Sequence, residues 1–409
     1  MTDPLVRTRE STPPRSTTTP EERAESRLRL RRAARYCLGV FLGVRVGLSI
    51  LALVAVAVLP ALEALGPPGW PVPPIERGWH NVVTAWERFD ALWFLRVATL
   101  GYADGDGSAA FFPLYPLLIR GLSFVLGGHP LAAALLISNA AFFGALVVFY
   151  LLTESEYDEA TARRAVLYLA LFPTAFFFLA PYSESLFLLL TVSSLAAARR
   201  RRWALAGVAG ALASATRSVG VLLALPLAVE AIQRWRERRE NPVGPLLWSA
   251  VAVLGAALYL LFWLAKSGDM LAPLQQQATW QRQPMAPWET IASGTREAFR
   301  WPGVYPGGYH LLDWLVVVPG LAAAAWLAVR ARPAFSVYAW ASLLAPLTLV
   351  FPGRPFMSLP RFLLAIFPLF WAPAILARGR RWVHETAVAV FAGGLGVMTV
   401  LFVDRYYVF

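Results

Sequence analysis

The chain of 409 residues contains one cysteine, Cys37, one lysine, Lys266, and four histidines. A single cysteine excludes an internal disulfide and leaves no thiolate metal site. His80, His129, His310 and His384 are too scattered for zinc-type spacing. There is no Walker loop and no dinucleotide glycine pattern, which disfavours a nucleotide-driven pump. With lysine almost absent, the net charge of +12 is carried by arginine. In a soluble chain that excess would point to nucleic acid. Here the arginines cluster at the ends of apolar runs, where they act as topology signals, so no nucleic-acid partner is expected.

What is abundant is apolar surface. The sequence is 57% hydrophobic, against about 45–50% for soluble domains. The excess falls into runs of roughly 17–25 residues, the length a helix needs to cross about 30 Å of hydrocarbon. Residues 1–25 are Pro, Thr, Ser and charge and are expected to be disordered. With the arginines Arg27 to Arg35 they form a basic tail, residues 1–35, that should stay in the cytoplasm beside anionic lipid. No small-residue cleavage site follows the first apolar run, so it does not read as a signal peptide. Residues 36–409 are expected to form one membrane-embedded unit.

Four basic caps, Arg199–Arg202, Arg234–Arg239, Arg330–Arg332 and Arg378–Arg381, set the threading if they all lie inside. The first span is Tyr36–Pro60, and further spans fall near 130–152, 165–181, 184–198, 203–217, 219–232, 245–265, 311–330, 335–351, 361–377 and 382–403. Residues 111–127 carry Pro113, Pro116 and a central Arg120. A mid-helix arginine costs about 2.5–3.5 kcal/mol on insertion scales, so this stretch is assigned to an interfacial or re-entrant element. The expected fold is all-α, polytopic, with about eleven transmembrane helices and the C-terminus outside. The long outer loops, 61–128 and 266–310, place the working face on the non-cytoplasmic side.

Five segments carry candidate chemistry. In Trp86–Tyr102 (WERFDALWFLRVATLGY) apolar residues recur at helical spacing, which predicts an amphipathic helix lying in the interface with its aromatics toward lipid. Asp90 falls in that apolar stripe, where an acid must be paired or used; a salt bridge to Arg88 or Arg96 fits as well as a catalytic role. In Leu171–Phe187 (LFPTAFFFLAPYSESLF), Glu184 and Tyr182 sit at the junction of two spans, and Glu184 fits either a polar cavity or a loop tip in water. In GALASATRSVG, Arg217 suits a bidentate phosphate clamp or snorkelling to headgroups. The stretch GDMLAPLQQQATWQR brings Trp280 and Arg282, suited to sugar stacking and hydroxyl contacts, or to an ordinary aromatic belt. SLPRFLLAIFPLF places Arg361 at the end of a span.

Together with AFFPLYPLLIR, these segments resemble, in order from about residue 84 to about 370, the PIG-V (GPI mannosyltransferase II-like) family within the GT-C class of membrane glycosyltransferases. Relatives more often carry proline or glycine after the arginine of ATRSVG. The resemblance implies an inverting transferase that moves mannose from a polyprenyl-phosphate donor to a glycan, glycolipid or protein acceptor. It implies Asp90 as the base in the first outer loop. Arg217, Arg361, Arg282 and Arg120 are candidates to stabilise the leaving phosphate, with Glu184, Tyr182 and Trp280 as further substrate-site candidates. No cofactor and no obligatory metal are expected. A transferase for another lipid-linked sugar, a transporter or flippase, and a non-catalytic relative remain alternatives. A transporter would usually show paired repeats with broken helices at mid-membrane, and no convincing repeat is present.

Overall fold

Residues 20–60, 62, 66–74, 78–279, 281–300 and 308–406 are described in the structure, a computed structural model. The first helix, α1 (Pro20–Val58), runs unbroken for 39 residues, about 58 Å at 1.5 Å per residue. Residues 20–35, the end of the basic tail whose first 25 residues were expected to be disordered, form its first turns. Ion pairs explain the difference: Arg29 meets Glu25 at 2.7 Å, and Arg32 reaches Glu154 at 2.7 Å and Glu159 at 3.0 Å. Residues 1–19 of that tail lie outside the described residues.

Farther along α1 both faces are apolar. Cys37, Val44, Leu48, Ala52 and Ala55 are buried, while Leu38, Leu42, Val46, Ile50 and Val54 are exposed. A helix apolar all round, with one side facing out of the protein, is a membrane helix. After α1 come α2 (Asn81–Thr84), α3 (Asp90–Leu100) and α4 (Leu114–Val125). α3 corrects an expectation. It begins at Asp90 rather than Trp86, and eight of its residues from Ala91 to Ala98 are buried inside the protein. Its aromatics pack on protein: the Trp93 ring stacks on Phe111 at 5.3 Å, and Phe94 meets Tyr115 edge-on at 5.1 Å. The helical spacing was read correctly, but it cannot tell a lipid partner from a protein one. α4 has 12 residues, about 18 Å, too short to cross.

The bundle continues with α5 (Pro130–Glu156), α6 (Glu159–Leu171), α7 (Glu184–Arg199), α8 (Trp203–Thr216) and α9 (Ala224–Arg238). α10 (Val243–Val251) and α11 (Leu254–Ser267) form a pair bent by 42°. α12 (Ala272–Thr279), α13 (Pro287–Arg300), α14 (Gly308–Arg330) and α15 (Pro333–Leu347) follow, then α16 (Leu359–Leu363), α17 (Trp371–Leu376) and α18 (Arg381–Val403). A two-residue ribbon, β1 (Gln283–Pro284) antiparallel to β2 (Leu349–Val350), pairs Gln283 with Val350.

Five described helices are long and apolar enough to cross a membrane, or six if the bent pair is one span. These cover the expected spans at 36–60, 130–152, 219–232, 245–265, 311–330 and 382–403. The count of about eleven is not reproduced. The expected spans at 165–181, 184–198, 203–217 and 335–351 are helices of 13, 16, 14 and 15 residues. The stretch 361–377 is divided among α16, a 3₁₀ turn Phe367–Phe370 and α17. Pro173, Pro360, Pro368 and Pro373 explain the breaks, since proline removes a ladder donor and clashes with the preceding turn.

α7, α8, α9 and α15 run between two ends of the bundle. One end gathers Glu184, Arg217 and Thr348; the other gathers Arg199, Trp203, Arg234 and Arg332. α7 alone sets the two ends about 22 Å apart. Close backbone approach locks α8 against α11 and against the 3₁₀ turn Ser218–Leu223. A Cβ at Gly255 would lie 1.9 Å from the Ala211 carbonyl, and one at Gly220 would lie 2.5 Å from that of Ala213, so only glycine fits.

Candidate active site

Two acids and two arginines from four separate segments meet at one end of the bundle. Glu184 opens α7, where a carboxylate also complements the helix dipole. Arg217 caps α8 in an extended conformation, φ −152° and ψ 145°, before the 3₁₀ turn Ser218–Leu223. Arg361 sits in α16 and Asp90 begins α3. Arg361 Nη1 donates to Asp90 Oδ2 at 2.5 Å. Arg361 Nε and Arg217 Nη1 both donate to Glu184 Oε1. Glu184 Oε2 is buried without a hydrogen-bond partner among the described residues.

The Arg361 guanidinium also lies over the rings of Tyr182, at 4.7 Å, and Phe177, at 4.9 Å. A desolvated cation over aromatic faces is attracted by their quadrupoles. Tyr182 is in turn fixed, its hydroxyl donating to the Arg88 carbonyl at 2.9 Å and its own carbonyl accepting from Ser138 Oγ at 3.0 Å. The acids differ in access. The Glu184 side chain is 2% exposed, that of Asp90 29%. Glu184 is therefore closed off within the protein, and Asp90 is the acid that reaches the cavity.

Asp90, Arg217 and Arg361 open onto a cavity of about 1030 Å³. Its far wall comes from the second half of the chain. Arg282 Nη2 donates to Ser358 Oγ at 3.1 Å, and its Nη1 to the Leu349 carbonyl at 3.3 Å. Arg354 grips Asp313 with two bonds, Nε to Oδ2 at 2.6 Å and Nη2 to Oδ1 at 2.8 Å. It also lies over the Tyr309 ring at 5.1 Å. Phe112, Val221, Leu222, Leu274 and Phe362 supply apolar lining.

Backbone strain gathers at the same place. Among the described residues six non-glycine residues have positive φ, and three of them, Phe89 (52°), Gln281 (54°) and Ser358 (68°), adjoin or line this cavity. Phe89 precedes Asp90, Gln281 precedes Arg282, and Ser358 caps the helix that carries Arg361. Such conformations cost of order 1–3 kcal/mol each and persist where the surroundings over-determine them, often at functional sites.

The structure thus brings together Asp90, Glu184, Arg217 and Arg361, with Tyr182 packed beneath and Arg282 across the cavity. It does not bring in Arg120, which is exposed on α4 and absent from the lining. Trp280 lies outside the described residues. Neither local partner considered for Asp90 is used: Arg96 pairs with Asp106 at 2.5 Å, and Arg88 donates to the carbonyls of Val403, Thr84 and Glu87. Arg354, Asp313, His310 and Ser358 were missed as candidates. An acid inside the apolar run of α14 was the available signal for Asp313. Among the described residues no three His, Cys, Asp or Glu side chains cluster as metal ligands would.

The fold and site define a helical integral membrane protein with an acid–arginine cavity at one end of its bundle. Residues 43–237 match the family model described as mannosyltransferase (PIG-V), which bears out the resemblance over that stretch and supports a glycosyltransferase. The matched part includes Asp90, Glu184 and Arg217 but not the far wall of the cavity. Comparison with curated proteins gave no match. Among solved structures the chain is similar to ArnT from Cupriavidus metallidurans bound to undecaprenyl phosphate, at 14% identity and TM-score 0.49, covering 91% of this chain and 77% of that one. It is also similar to the Archaeoglobus fulgidus oligosaccharyltransferase in complex with Zn and sulfate, at 13% identity and TM-score 0.42, covering 90% of this chain. The chain spans 53% of that enzyme's length.

Proposed function

We propose that this protein is an inverting glycosyltransferase that moves mannose from a polyprenyl-phosphate mannose to an acceptor hydroxyl, on the non-cytoplasmic face of the cell membrane. The observation that carries the proposal is the cavity itself: one reachable carboxylate, Asp90, faces the same space as Arg217, Arg361 and Arg282. Its volume, about 1030 Å³, lies at the top of the scale for pockets that enclose sizeable ligands, roughly 300–1,000 Å³. The apolar lining suits the first units of a lipid tail.

In this reading Asp90 accepts the acceptor's hydroxyl proton while the hydroxyl oxygen attacks the anomeric carbon. The bond from that carbon to the donor phosphate breaks with inversion, and the electron pair leaves on the lipid phosphate. Positive charge develops on the sugar, as in other glycosyl chemistry, and negative charge on the leaving group. Arg361 holds one Asp90 oxygen and fixes the orientation of the carboxylate. Arg217, anchored through Nη1 to Glu184, keeps further donors for a phosphate. Arg282 and Arg354 add fixed positive charge across the cavity. Donors held in place before the reaction stabilise developing charge without reorganisation.

The test is transfer of labelled mannose from polyprenyl-phosphate mannose to a host lipid extract in proteoliposomes, comparing wild type with Asp90→Asn at equal expression. General-base removal should cost about 10²–10⁴-fold. Equal transfer by both proteins removes Asp90 as the base. Transfer from other lipid-linked sugars but not from mannose keeps the enzyme and changes the donor.

A further inference from the structure

At the end of the bundle opposite the acid–arginine cavity lies a second concavity, of about 230 Å³. It is lined by Arg199, Arg200, Arg201, Arg234, Arg238 and Arg332, with only Glu230 and Glu237 as acids. We propose that this pocket binds the phosphate of an anionic phospholipid drawn from the surrounding bilayer. The proposal is independent of the transfer chemistry.

Arginines at the ends of spans usually reach into water as topology signals. Two of these, Arg199 and Arg234, do not. Arg199 is fixed by Glu156 at 2.7 Å and Glu230 at 2.6 Å. Arg234 is 8% exposed and is held by Glu230 at 2.8 Å and by the Arg199 carbonyl at 2.7 Å. Arg332 meets Glu156 at 3.1 Å. These contacts set the floor and walls before any ligand arrives. Glu156 and Glu240, which lie behind the lining, pair with arginines of the pocket. Even with both counted, the six arginines outnumber the acids. Among the described residues Arg200 and Arg238 have no acid partner, and both stand exposed at the rim. Arg201 at the pocket and Arg239 beside it have positive φ, 62° and 55°, so the loops that present the rim are held in uncommon backbone shapes.

The neighbourhood selects a lipid over a free anion. Trp235, beside Arg234, is 45% exposed, and Ile232, less than a turn away on α9, is 36% exposed. On α8, Leu205 is 52% exposed two residues after Trp203. Exposed apolar and indole side chains within a turn or so of a cationic rim match the boundary between hydrocarbon and headgroups. Basic pockets between membrane helices are suited to anionic headgroups. A phosphate seated here would join the ends of α7, α9 and α15, and the other ends of α7 and α15 carry Glu184 and Thr348.

The full-length protein in neutral detergent is titrated with phosphatidylglycerol, with phosphatidylcholine, and with inorganic phosphate. Bound lipid is read by native mass spectrometry and stability by the thermal midpoint. Phosphatidylglycerol should be retained and raise the midpoint; the other two should do neither. Arg200→Ala/Arg238→Ala should weaken phosphatidylglycerol binding roughly thirtyfold, two contacts at the usual worth of a basic side chain beside an anionic headgroup. Arg381→Ala, which alters a 90% exposed side chain at the start of α18, should bind as wild type. Arg200→Ala alone repeats the test if the double variant folds poorly. Equal retention of phosphatidylcholine overturns the proposal, as does an unchanged affinity in the rim variants or an equal loss in Arg381→Ala. A midpoint shift reproduced by inorganic phosphate alone overturns the lipid source and leaves a free-anion site.

Discussion

The two walls of the large cavity hold their charges differently. On one wall Arg361 is shared between two carboxylates, Asp90 and Glu184, and Glu184 is shared between two arginines. On the other, Arg354 is gripped by both oxygens of Asp313, whose side chain is wholly buried. A part-exposed acid held by one arginine, as Asp90 is, can exchange that partner for a substrate proton. A buried acid under a bidentate arginine is a fixed support. The first wall therefore presents an acid and cations together, and the second presents cations alone. That asymmetry is what a reaction needs when a proton leaves on one side and negative charge gathers on the other.

The most damaging way to break the comparison is Glu184→Gln. It leaves Arg217 and Arg361 with one carboxylate between them. Removing one partner of a buried ion pair costs about 3–5 kcal/mol, so the thermal midpoint should fall sharply and mannosyl transfer should be lost. An unaltered midpoint would show that Glu184 is not the anchor. Arg354→Lys is milder. It keeps the charge and loses the planar fork that matches Asp313. A donor KM raised about tenfold, with kcat changed less, is expected because a cation no longer held in place by Asp313 weakens binding; a selective fall in kcat would move Arg354 to the transition state.

A third place where acid and arginine meet sharpens the contrast. Between the first long loop and the end of α18, burial pushes the Asp404 carboxyl up to about 6 and that of Glu87 up to about 7, each opposed by Arg88. Neither oxygen of Asp404 has a hydrogen-bond partner among the described residues. Raised folded values mean that the neutral acids are favoured by folding. This contribution is full below the ordinary carboxylate range and is lost as pH rises through 6 to 7. The thermal midpoint should therefore climb between pH 8 and pH 5, and Asp404→Asn should flatten part of that climb. A midpoint that falls over the same window contradicts the assignment. The smallest expected effect is none at all. A chelator should leave transfer unchanged if the arginines alone supply the positive charge, and loss restored by a divalent cation would overturn that reading.

Much of the first wall was legible. Asp90 stood out because an acid in an apolar stripe needs a reason, and Glu184, Arg217 and Arg361 because charges at the ends of spans are costly unless used. Arg120 stood out as a central charge in an apolar run and lies elsewhere, since a sequence cannot tell a cation that turns inward from one that stays exposed. Arg354 was missed because its loop, 351–361, reads as ordinary polar connection. Its meaning comes from Asp313, 41 residues earlier. The shorter spans were overcounted because hydropathy reports composition, while proline-broken helices change where a span ends.

The sequence by itself determined that the chain is a helical membrane protein, where its longest spans fall and which charges are out of place, because hydrophobic length and desolvation cost are local properties. Only the tertiary structure decided that Asp90 pairs with Arg361, 271 residues away, that α3 is packed on protein rather than on lipid, and that two sets of arginines form pockets at opposite ends of the same helices. Those outcomes depend on which helix faces which, and the close packing of whole helices sets that, not the period of any one of them.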